Sequence, residues 1–196
     1  MLKLYRVTIS SSQEIICNTK EILSVNKYEK LGAGRMCEAW RGKVYAPDDQ
    51  LRDGNPVVIK RIVKEQYENE TLYKKKVLDY LNNGEAYNRM YNQNPRGTSK
   101  VEGAFTDEEY YYILQVFLPG TSYANLKFRN RELERELGMS KKVIEIVRTY
   151  HNVRDSEGRL APQFIGDLKP ENFYALMRDE NDTPDLVYFD FDVFDA

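Results

Sequence analysis

The sequence predicts an α+β chain in which a β-rich first part gives way to a mainly helical second part. Stretches of β-branched and aromatic residues fill the opening segments and return in "KVEGAF" and "EYYYILQVF". Patterns rich in Glu, Lys, Leu and Tyr run from Lys64 to about Met90, and helical spacing returns after Leu126. Between them "LPGTSYANL" (Leu118–Leu126) sets Pro, Gly, Ser and Thr directly after an apolar strand. This marks a boundary between a first lobe over 1–117 and a second over 118–196.

Taken in order, "LKLYRVTI" and "EIICN" read as strands. "YEKLGAGRMCEAWRGKVYA" reads as a hairpin with its glycines in the turn. Asp53-Gly54 signals the next turn, and Val57–Val63 reads as a buried strand. In the helical segment that follows, Asn82-Asn83-Gly84 is expected to interrupt the pattern and divide it into two helices. The strand pair "KVEGAF" and "EYYYILQVF" turns at Thr106-Asp107-Glu108. Helices are expected over Leu126–Leu137 and Ser140–Val153, with Ser140 as an N-cap. Two short strands, Phe173–Met177 and Leu186–Phe191, close the chain around a polar turn.

Bulk composition excludes several classes of function. With 196 residues, 41% hydrophobic and 31% charged, the chain has a globular composition. Its 29 basic and 31 acidic residues leave no basic field for nucleic acid. The two cysteines, Cys17 and Cys37, lack zinc-site spacing and are too few for a disulfide framework, so reduced thiols and a cytoplasmic location are expected. The single histidine, His151, follows a helical stripe and reads as a helix-end residue, which argues against a Ser-His-Asp triad. No membrane-spanning run and no signal-peptide pattern is found.

Four stretches carry chemistry. In "LGAGRMCEAW", Gly32 and Gly34 suit a hairpin turn or a flap whose backbone N–H groups approach phosphate oxygens. Lys60 ends "VVIK" and is either a strand-end lysine reaching solvent or an ammonium held for phosphates. "GDLKPEN" is more specific. It is too polar for a core strand and its proline forbids a helix interior, yet apolar strands flank it. Asp167 could accept a hydroxyl proton, Lys169 could neutralise a phosphoryl group, and Asn172 could offer a neutral oxygen to a metal. In "LVYFDFD", Asp190 ends a buried strand, where an uncompensated carboxylate is costly and a cation such as Mg2+ would stabilise it.

In this order the stretches resemble the eukaryotic-type protein kinase superfamily from roughly Tyr28 onward. The resemblance implies a bilobal fold with an antiparallel β-sheet first lobe and a mainly helical, shortened second lobe. It implies ATP and Mg2+ as cofactors and a protein serine or threonine hydroxyl as acceptor, with Lys169 in the place usual for serine/threonine kinases. Gly32 and Gly34 would cover the nucleotide, and Lys60 would contact its α- and β-phosphates. Glu85 would pair with Lys60, because Asn94-Pro95 sits where the family usually has His-Pro; Glu68 and Glu70 compete for that role. Gln115 would be the gatekeeper, with Val116, Phe117 and Leu118 as the hinge. Asp167 would be the catalytic base, Lys169 its phosphate-facing neighbour, and Asn172 and Asp190 the metal ligands.

Several positions depart from the family pattern. Cys37 replaces the third glycine and Ala39 the usual valine. Ile165-Gly166 replaces His-Arg, which removes the usual dock for a phosphorylated activation loop. Asp190-Phe191-Asp192 replaces Asp-Phe-Gly, adding a carboxylate. The chain stops four residues past Asp192, and a fragment or processed product is expected in preference to a compact variant. A pseudokinase scaffold is the second reading, and a small-molecule kinase, suggested by Gly166-Asp167, the third.

Overall fold

The computed structural model describes residues 1–33, 37–45, 54–65, 67–125, 132–155, 157–176, 185–189 and 193–195. The architecture is mixed α+β and mostly antiparallel. Two compact units emerge, Met1–Asn82 with Val101–Phe117 and Asn83–Lys100 with Leu118–Ala196. Among the described residues, no helix is long and apolar enough to cross a membrane.

The first unit is a closed barrel of six strands, β1 (Leu2–Ile9), β2 (Ile15–Ala33), β3 (Cys37–Tyr45), β4 (Asn55–Ile62), β5 (Val101–Thr106) and β6 (Tyr111–Val116). Their order around the barrel is β1-β2-β3-β4-β6-β5, and β1 closes it by pairing with both β2 and β5. β2 runs for 19 residues, with register shifts against β1 and β3 that let so long a strand bend. The two strands expected before the glycine hairpin are therefore β1 and the start of β2, which continues unbroken to Ala33. At the β5–β6 turn, Asp107 Oδ1 accepts the amides of Glu109 and Tyr110 at 3.2 and 2.8 Å, and Glu108 takes φ 79.

Side-chain alternation sorts the sheet into two faces. Leu4, Val25, Val57, Ile59, Phe105, Tyr112 and Leu114 form the core inside the barrel. Val7 and Ile62, of opposite parity, pack outside against Tyr73, Val77 and Leu81 of helix α1 (Glu70–Gln93). Asn69 caps that helix, its Oδ1 accepting the Leu72 amide at 3.0 Å. Contrary to the sequence reading, α1 passes unbroken through Asn82-Asn83-Gly84. A mid-helix glycine costs about 1 kcal/mol, and burial of Leu81, Ala86, Tyr87 and Met90 on either side outweighs it.

In the second unit, helix α2 (Glu132–His151) replaces the two helices expected over Leu126–Leu137 and Ser140–Val153, whose first residues lie outside the described ones. Ser140 is an exposed residue inside the helix, and no N-cap. Met139, Ile146 and Tyr150 are buried beyond it, so packing carries the helix across that point. The strands are β7 (Thr121–Ser122), β8 (Gln163–Ile165), β9 (Phe173–Leu176), β10 (Asp185–Tyr188) and β11 (Val193–Asp195). They form a β10-β9-β7 sheet and a β11-β8 pair, both antiparallel. Tyr188 is central, with its ring edge-on to Tyr150 at 5.5 Å and against Phe173 at 5.3 Å, while Tyr87 donates to its carbonyl.

Because Leu4 is fully buried on the strand that closes the barrel, Leu4→Ala is expected to lower stability by about 2–5 kcal/mol. Urea unfolding should show a lower midpoint at an unchanged slope. A loss under about 0.5 kcal/mol would mean that β1 merely lies against the barrel.

Candidate active site

The strongest constellation is the loop between β8 and β9. Buried Gln163 anchors the strand before it, and buried Phe173 and Ala175 anchor the strand after it. Lys169 is extended (φ −136, ψ 156), as a residue before proline prefers, and Pro170 opens a single 3₁₀ turn over Pro170–Asn172. The Lys169 amide donates to Asp167 O at 3.1 Å, and the Asn172 amide donates to Lys169 O at 3.1 Å. The Phe173 amide closes the turn on Pro170 O.

Asn172 then ties the loop together. Its Nδ2 donates to the Asp167 carbonyl at 2.9 Å, and its own carbonyl accepts the Phe189 amide at 2.9 Å. The first bond holds Asp167 against the turn. The second fixes the turn to the residue directly after β10, which leads into Asp190. Phe189 is held in turn by Tyr174, ring to ring at 5.0 Å. Asp190 itself, expected as the main metal ligand, lies outside the described residues, as does Gly34 of the flap.

The Asp167 carboxylate is paired with Lys169 Nζ through Oδ2. That hydrogen bond, with a smaller one from the Asn172 side chain, holds the Asp167 carboxyl below the ordinary carboxylate range against an opposing effect of burial. Side-chain exposures of 48% for Lys169 and 37% for Asp167 make the pair a solvent-facing device that sets ionisation and adds little stability.

In the first unit, the register places Gly32, Lys60 and Gln115 on one sheet face. Gly32 stands opposite Ala39, Ala39 opposite Lys60, Lys60 opposite Ile113, and Val58 opposite Gln115. Lys60 is half-buried and Gln115 fully buried. A Cβ built on Gly32 would meet no atom, so nothing in the chain itself demands glycine there, and its missing side chain leaves open space. Val116 turns its side chain into the barrel, and the Phe117 amide donates to Pro56 O at 3.3 Å. Leu118 begins the second unit's long segment and is half-buried. Glu85 is an exposed residue of α1. Of its competitors, Glu70 pairs with Lys64 at 3.0 Å.

Sequence reasoning missed a charged cluster at the barrel end where β3 begins. Glu38 accepts from Lys30 at 3.1 Å and Arg61 at 2.7 Å. Lys27 lies over the rings of Trp40 and Tyr112 at 4.3 and 4.8 Å, and burial, followed by the nearby Arg61 charge, pushes its ammonium pKa down. The signal available was alternation, which puts Glu38, Trp40 and Arg61 on the face of Ile59.

The Asp167–Asn172 donor set fits a hard cation. An ionised carboxylate and an amide oxygen are ligands of the kind Mg2+ prefers, and since an amide nitrogen does not ligate, Asn172 offers Oδ1. Among the described residues, no group of three or more His, Cys, Asp or Glu side chains could hold a metal by itself. Compared with known proteins, the chain matches no family model and no curated protein sequence.

The depressed Asp167 pKa has a definite sign. Its stabilising contribution is fully present above the unfolded carboxylate value of about 3.9 and is lost as pH falls through the lower folded value. Carbon-detected NMR titration of Lys169→Met should show the Asp167 midpoint rising towards that ordinary value. An unchanged midpoint would remove Lys169 as the cause.

Proposed function

We propose that this chain is an ATP- and Mg2+-dependent phosphotransferase of the protein-kinase kind, with a bilobal arrangement and a reduced second lobe. The acceptor is a hydroxyl, foremost a serine or threonine of a protein. The observation that supports this most is the 2.9 Å bond from the Phe189 amide to the Asn172 carbonyl. It sets the proton-accepting loop beside the strand end that leads to the second acidic residue, as a shared cation would require.

In this reading each side chain has a definite task. Asp167, ionised at neutral pH, orients the acceptor hydroxyl and takes its proton on a carboxylate oxygen. Lys169 holds Oδ2, which directs proton transfer to Oδ1. Asn172 Oδ1 and Asp190 would hold the metal, which when bound neutralises charge on the phosphoryl oxygens. Lys60 pairs with the nucleotide phosphates, and the open space at Gly32 lets backbone N–H groups approach them. Gln115 and the hinge backbone at Val116 and Leu118 receive the base. Positioning and charge neutralisation supply most of the rate in such a reaction.

Transfer of labelled γ-phosphate to a generic protein substrate tests the reading. Asp167→Asn is expected to lower the rate by about 10²–10⁴-fold while preserving stabilisation by Mg2+·ATP, about 2.7 kcal/mol at a hundredfold excess over Kd. Nucleotide binding without transfer would leave a scaffold of the pseudokinase kind. No binding at all would end both readings. Gly32→Ala is expected to change stability by less than about 1 kcal/mol, since its Cβ meets nothing, yet to weaken nucleotide binding.

A further inference from the structure

The barrel interior is not filled to its end. At the mouth where β3 ends and β4 begins lies a pocket of about 450 Å³, within the range of small-molecule sites. Leu23, Val44, Val57, Phe105 and Leu114 line it, together with one cation, Arg6. Val57 and Lys60 are an odd number of residues apart on β4, so this pocket opens on the sheet face opposite to Lys60. It is therefore separate from the phosphate site proposed above.

Independent features aim Arg6 into this pocket. β1 shifts register between Tyr5 and Arg6, and β5 shifts between Val101 and Gly103, and such bulges re-aim side chains at barrel rims. Arg6 stands opposite Phe105, and its guanidinium lies 5.0 Å over that ring. Gly103 takes φ 152, and a Cβ there would sit 2.6 Å from Arg6 Nη1, so glycine makes room for the guanidinium. Core filling alone calls for an aliphatic side chain at such a place, because a half-buried cation loses hydration.

We infer that this mouth binds a small monocarboxylate with an apolar body. The apolar part lies among Leu23, Val44, Val57 and Leu114, and the carboxylate meets the planar fork of Arg6. Glu102, exposed on the same lining, limits the ligand to a single negative charge, which disfavours dicarboxylates and phosphates.

Titration of the full chain with decanoate tests this, followed by calorimetry and methyl NMR. The Val57 and Leu114 methyl signals are expected to shift and saturate. Decanol and the dianion sebacate should each bind at least tenfold more weakly than decanoate, and Arg6→Gln should cost decanoate at least tenfold. Should Arg6→Gln fail to fold, Val44→Trp, which fills the cavity without touching the cation, should abolish binding. Absence of methyl shifts, equal affinity for decanol, or undiminished binding by either folded variant would overturn the proposal.

Discussion

Asn172 makes two hydrogen bonds, one to the Asp167 carbonyl through its side chain and one from the Phe189 amide through its main chain. Between them they join the end of β8, the 3₁₀ turn and the end of β10. A loop this polar cannot be held by burial, because its charged groups face water. It is held instead by hydrogen bonds whose outer ends sit on buried strands, with Phe173, Ala175 and Tyr188 as anchors. That constraint is what makes the Asp167 carboxylate a group of fixed place and fixed charge.

The barrel solves a different problem with the same strands. Closing through β1 removes the sheet edges that an open sheet would expose. Closure also gives the sheet an interior and an exterior with separate uses. Gly32, Lys60 and Gln115 share the exterior face, while the interior holds an apolar core, a charged cluster at one end and a pocket with Arg6 at the other. The two faces can evolve and bind independently, since alternate residues of β4 serve each.

Much of this was legible in the residues. Alternation and turn signals placed β3, β4, β5 and β6, and the mismatch between a polar Asp-Leu-Lys-Pro-Glu-Asn loop and its apolar flanks marked the site. Closure of the barrel was not legible, because pairing of β1 with β5 joins segments about a hundred residues apart and leaves no local trace. The unbroken helices were missed for a related reason. Asn82-Asn83-Gly84 and Ser140 are local stop signals, and tertiary burial of Tyr87, Met90, Met139 and Ile146 overrides them. Arg6 looked like a solvated strand residue, and only the register shifts and Gly103 reveal where it points.

The central claim is that Lys60 and the Asp167–Asn172 loop serve one nucleotide and its cation. Paramagnetic relaxation with Mn2+·ATP in place of Mg2+·ATP measures this directly. The account predicts strong broadening of the Asn172 side-chain amide together with the Lys60 side-chain signals, both relieved by excess Mg2+·ATP. Broadening at only one of the two residues, or at neither, would contradict it.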